Sequence, residues 1–140
     1  MMTAMRRIPV LFAALGLIAA APALASGGSN RVVGNCDHSQ VKPKSIILAC
    51  ADVNAYVNKI SWKAFGGPTA NGAGTFVQNT CTPNCAAGKF KDYPVTFTLS
   101  NPKPCFDQRD DYRLIAITYL GNRPPTTPVH TKQELFCPVG

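Results

Sequence analysis

The chain has 140 residues, one domain's worth at roughly 100–200 residues per domain, with 14 Lys+Arg, 7 Asp+Glu and a formal charge of +7. Charged residues make up 15% and hydrophobic residues 46%, which excludes a disordered polyelectrolyte and a coiled coil. The 11 Gly and 12 Pro predict many turns and few long helices; with the length, they exclude a multi-domain enzyme and a polytopic membrane protein.

Residues 1–25 read as a secretory signal peptide. Arg6 and Arg7 form a positive start, residues 8–21 an apolar run, and Ala23-Leu24-Ala25 a small-residue cleavage signal before Ser26. The run is too short to span about 30 Å of hydrocarbon comfortably. No transmembrane segment is therefore expected after cleavage, and the general secretory route is expected to deliver the chain outside the cell. Loss of Arg6 and Arg7 lowers the charge from +7 to +5. The remaining cations are scattered, as on a solvated surface, and no nucleic-acid motif accompanies them.

Residues 26–35 open with Ser26-Gly27-Gly28-Ser29-Asn30 and read as a flexible leader; residues 36–140 read as a single β-rich domain. That domain holds all 6 Cys, and an even count in an exported chain implies disulfides. Many pairings are open to six cysteines. Cys36–Cys50, Cys81–Cys85 and Cys105–Cys137 is the set expected here, because it pairs neighbours and minimises loop crossing. Pro83-Asn84 between Cys81 and Cys85 is also a turn composition. A zinc site needs closely spaced ligands, whereas C-x-x-C is absent and His38 and His130 stand apart. No metal or cofactor is expected.

Six strands are predicted in chain order. Residues 45–51 are a short apolar run. Residues 56–65 alternate, with Tyr56, Ile60, Trp62 and Ala64 on one face and Lys59, Ser61 and Lys63 on the other. Asn71-Gly72 reads as a turn, and residues 74–79 as a strand. Residues 93–100 alternate most cleanly, Tyr93, Val95, Phe97 and Leu99 against Pro94, Thr96, Thr98 and Ser100. Asn101-Pro102-Lys103-Pro104 is expected to end that strand. Residues 112–120 are apolar on both faces, a central strand. A Pro-rich loop over 121–130 precedes a last strand at 131–137. No helical period stands out, so the expected fold is all-β: an antiparallel immunoglobulin-like sandwich, or else a small β-barrel.

Three pieces carry a resemblance: Ile47-Leu48-Ala49-Cys50-Ala51-Asp52-Val53-Asn54, then Ile60-Ser61-Trp62, then Asn79-Thr80-Cys81-Thr82-Pro83-Asn84-Cys85-Ala86-Ala87-Gly88 leading to Tyr93-Pro94-Val95. Over about residues 45–100 the chain resembles a group of small exported actinobacterial proteins of unknown function. The shared pattern is L-A-C-A-D-x-N with C-x-P-x-C-A-x-G. Phe65 stands where the group usually has another aromatic, often Trp. The resemblance implies export and disulfides, and it brings no catalytic residues and no ligand.

Catalysis is not expected. Asp37-His38 is an acid–imidazole pair, but consecutive side chains on an extended segment face opposite ways. No G-x-S-x-G elbow occurs, and Asp52, Asp110 and Asp111 suit turns. The expected role is an extracellular binding or interaction module whose partner is an extracellular protein or a cell-envelope glycan. Trp62 with Phe65 is a candidate aromatic platform for it. The alternative is a protease inhibitor that presents a rigid loop over 121–130, with Arg123 and Pro124 stiffened near the Cys105–Cys137 staple.

Overall fold

The computed structural model describes residues 31–106 and 108–138; the expected signal peptide and residues 26–30 lie outside them. The described residues form eight strands and no α-helix. They are β1 (Arg31–Asn35), β2 (His38–Gln40), β3 (Ile46–Ile47), β4 (Ala55–Ala64), β5 (Ala70–Asn79), β6 (Phe90–Pro104), β7 (Asp110–Tyr119) and β8 (His130–Glu134). No helix among them is long and apolar enough to cross a membrane.

Hydrogen bonding joins all eight strands into one sheet in the order β2-β1-β7-β6-β5-β4-β3, with β8 also on β7. The sheet curls into a half-barrel around a core of Val57, Ile60, Phe76, Val95, Phe97, Leu99, Ile115 and Ile117. The all-β expectation holds. The strands do not divide into the two facing sheets of an immunoglobulin sandwich. Nor is the sheet wholly antiparallel, since β1 runs parallel to β7, Arg31 opposite Asp110 and Val32 opposite Asp111.

Strand β1 corrects the expected leader, which reached residue 35. Val32 and Val33 are fully buried, and their hydrophobic effect holds Arg31–Asn35 in the sheet despite the Gly/Ser stretch before it. Two other corrections concern breaker residues. Asn71-Gly72 lies inside β5, where Gly72 opposes Phe97. A Cβ there would come within 2.7 Å of the Phe97 ring and 3.0 Å of the Ser61 carbonyl oxygen. This glycine serves close backbone approach, not a turn. Gly72→Ala is expected to cost about 1–3 kcal/mol through overpacking, seen as a lower thermal midpoint; an unchanged midpoint would contradict the close approach.

Pro102 and Pro104 likewise continue β6 instead of ending it, opposite Tyr112 and Asp110. Strand β5 begins at Ala70 opposite Leu99, so the prolines lie beyond its reach and owe no ladder donor on that side. Strand β4 departs from strict alternation at Lys59, whose φ is 51°. The register shifts between Asn58 and Ser61, a β-bulge. Val57 and Ile60 therefore share the core face, and Tyr56 stands on the other face beside Phe90, ring centroids 6.2 Å apart.

The open side of the curl is laced by side chains. Buried Asn35 accepts from the Ile47 amide at 2.9 Å and donates to the Ser45 carbonyl at 3.3 Å, standing in for a β1–β3 ladder. Gln133 on β8 donates to the Leu48 carbonyl at 2.7 Å. The Tyr112 hydroxyl accepts from the Gly66 amide at 3.1 Å and donates to the Gly67 carbonyl at 2.8 Å, tying the β4–β5 loop to β7. All three disulfides pair as expected: Cys36–Cys50, Cys81–Cys85 and Cys105–Cys137.

Candidate functional site

With Tyr93, Val95, Phe97 and Leu99 committed to the core, β6 turns Thr96, Thr98 and Ser100 to the outer face. Register then sets the neighbours. One cross-strand row reads Ser61, Ala73, Thr96, Thr118, His130, and the next reads Ala64, Asn71, Thr98, Ala116, Lys132. Directly opposed residues point to the same face. The β4 to β7 members of these rows line an open trough of about 770 Å³, with Lys63 at its β4 end and Trp62 and Phe97 also in its wall; His130 and Lys132 lie beyond it on β8. Ala73 and Ala116 keep its floor low. The Thr98 hydroxyl donates to Asn71 Oδ1 at 2.8 Å, and Thr118 Oγ1 lies 3.0 Å from His130 Nδ1. No lining residue is acidic.

Trp62 borders this trough. Its Nε1 donates to the Pro43 carbonyl at 2.9 Å. Its ring meets Phe97 and Phe65 edge-on at centroid distances of 5.3 and 4.8 Å. Phe65 packs in turn against Tyr112 at 5.7 Å. Both rings are half-buried against the core, because aromatic faces are worth more there than in water.

The 121–130 loop is held by its own hydrogen bonds. Pro124 is buried. Arg123 is exposed, but its Nε donates to the Thr127 carbonyl at 2.7 Å, and the Thr127 amide returns to the Pro124 carbonyl at 3.2 Å. These bonds close residues 123–127 into a turn. Cys105 precedes β7 and this loop follows it, so the Cys105–Cys137 staple sits at the opposite end of the strand. Pro124 to Thr127 instead wall a smaller cleft of about 540 Å³ with Thr80, Lys91 and Tyr93.

Asp37 and His38 do meet, contrary to the extended reading. Cys36 (φ 63°) and Asp37 form the tight β1–β2 turn, which folds the carboxylate onto His38 Nδ1. That hydrogen bond holds the Asp37 carboxyl below the ordinary aspartate range. Gln40 Nε2 lies 2.7 Å from His38 Nε2 on the other side of the ring. Ser39, next along β2, points the other way and donates to fully buried Asp111 at 2.9 Å. Hydroxyl and imidazole thus lie on opposite faces, and a triad contact does not form. His130 stands on β8 beside Thr118, beyond the lining of the trough. No group of three or more His, Cys, Asp or Glu among the described residues could hold a metal.

The two sequence patterns that carry the resemblance come together at the other end of the sheet. Asn79, 6% exposed, donates to Asn54 Oδ1 at 2.9 Å and the Cys85 carbonyl at 2.8 Å, and accepts from the Cys81 amide at 3.0 Å. A Cβ on Gly88 would fall 2.0 Å from Asn79 Oδ1. These residues build the Cys81–Cys85 loop. The trough itself was missed in the sequence, although the alternation of Thr96 and Thr98 signalled a wet face, because its walls come from strands whose mutual register the sequence does not display. No family model, no curated protein and no solved structure matches this chain.

Proposed function

We propose that this chain is an exported, non-catalytic binding module, and that its outer trough takes a cell-envelope glycan. The observation that carries the reading is the trough: a strip of Ser, Thr and Asn side chains over Ala73 and Ala116, edged by Trp62 and Phe97, on a sheet whose connecting segments three disulfides staple. Hydroxyl and amide groups spaced by the β-lattice match the alternating donors and acceptors of a sugar chain. A rigid lining lowers the ordering cost of binding. Disulfides are compatible with the oxidising space outside the cell.

The test is an amide-shift titration of residues 26–140 with soluble cell-envelope glycan fragments. Shifts are expected on Ala73, Thr96, Thr98, Ala116 and Thr118, and Ala73→Phe is expected to abolish them while leaving the thermal midpoint in place. Shifts confined to residues 121–129 would overturn the assignment. Export is checked by intact mass: the culture supernatant should hold a chain that starts at Ser26 with all cysteines oxidised.

A further inference from the structure

The charge around the trough suggests the class of glycan. Register runs from Ala64 through Asn71, Thr98 and Ala116 to Lys132, so Lys132 is four strand-to-strand steps from β4. At about 4.8 Å per step the span is about 19 Å. Lys63 lines the β4 end, and its neighbour Ala64 opens the row that Lys132 closes. His130 stands one pleat from Lys132 on the same face, bonded to Thr118. Between the cations the lining is uncharged: Ser61, Asn71, Ala73, Thr96, Thr98 and Thr118. The nearest acid on that face is Glu134, beside Leu114 and one pleat beyond Lys132.

We infer, building on the trough reading above, that the ligand is a linear anionic polysaccharide laid across the strands. Its carboxylate or phosphate groups meet Lys63 at one end and Lys132 at the other, and its hydroxyls meet the floor. Two cations on strands four steps apart, with an uncharged bed between them, complement a chain whose charges recur at intervals. A compact anion would engage only one. Trp62 and Phe97 also line the trough, but their rings meet edge-on at 5.3 Å and pack against the core, whereas single-stranded nucleic acid stacks on exposed ring faces.

The experiment titrates the wild-type mature protein, Lys63→Gln/Lys132→Gln and Ala73→Phe with four probes by calorimetry. The probes are alginate oligomers (carboxylate), phosphomannan oligomers (phosphate), dextran oligomers (neutral) and oligo(dT). Both lysines are exposed, so the double variant keeps the fold. An anionic glycan is expected to bind about tenfold tighter than dextran, and the double variant to lose about tenfold, the effect of two exposed charge contacts. Added salt should weaken binding. Whether carboxylate or phosphate binds better identifies the source, and either result supports the inference. Equal binding of dextran, untouched by the lysine changes but lost in Ala73→Phe, would overturn the anionic class and leave the trough reading standing. Tighter binding of oligo(dT) would overturn the glycan. No binding sensitive to Ala73→Phe would overturn both.

Discussion

Replacing Cys105 and Cys137 together by Ala is expected to cost about 4 kcal/mol, the largest loss among the three disulfides. The bond spans 32 residues, against 14 for Cys36–Cys50 and 4 for Cys81–Cys85. Longer closed loops restrict the unfolded chain more, so the shortest loop should contribute only about 2 kcal/mol. The Cys105–Cys137 loop encloses the whole β7–β8 hairpin. It also holds the stretch that carries Leu135, only 2% exposed, against the core. Arg113 lies beneath it, Nη1 at 2.9 Å from Cys137 Sγ and Nε donating to the Leu135 carbonyl at 2.9 Å. Urea unfolding of the three paired variants is the check. A larger loss on removing Cys81–Cys85 than on removing Cys105–Cys137 would refute the loop-entropy account.

The second large effect is expected at Asn35. Asn35→Leu keeps the volume near constant and strips the Ile47 amide and the Ser45 carbonyl of their partner. Each stranded buried backbone group costs about 1–3 kcal/mol, so the variant should lose about 3 kcal/mol and roughly 10–15 °C of thermal midpoint. Asn35→Asp keeps the acceptor for Ile47 but sets a buried carboxylate against the Ser45 carbonyl, so its loss should shrink at acid pH, where a protonated carboxyl can again donate. Hydrogen exchange locates the effect. Ile47 and its neighbours should open first, while the amides of β5, β6 and the body of β7 remain protected. Uniform acceleration across the sheet would mean that Asn35 supports global packing and not the seam.

These two sites mark where sequence and fold part company. The disulfide pairing was legible, because short separations and a Pro-Asn turn both favoured neighbours. The strands of the middle were legible too, since Tyr93, Val95, Phe97 and Leu99 alternate with polar residues at the period of a half-buried strand. Residues 31–35 were not, because a short Val-Val pair beside a Gly/Ser stretch carries little local signal. Its strand depends on a parallel partner about eighty positions later, and no local pattern encodes that partner. Asn71-Gly72 and Pro102 misled for a related reason: the same residues that make turns also permit close approach or occupy an unpaired strand edge.

Taken by itself, the sequence determined the all-β class, the cysteine partners, the inward face of β6 and the expectation of export. Each is a local or compositional property. Tertiary structure alone decided that the strands curl into one mixed sheet, that Trp62 turns to the core, that Arg123 closes on Thr127, and that Lys63 and Thr96 line one trough. The physical reason is register. A one-residue slip reverses every side chain on a strand, so the company a residue keeps depends on pairings between segments far apart in the chain.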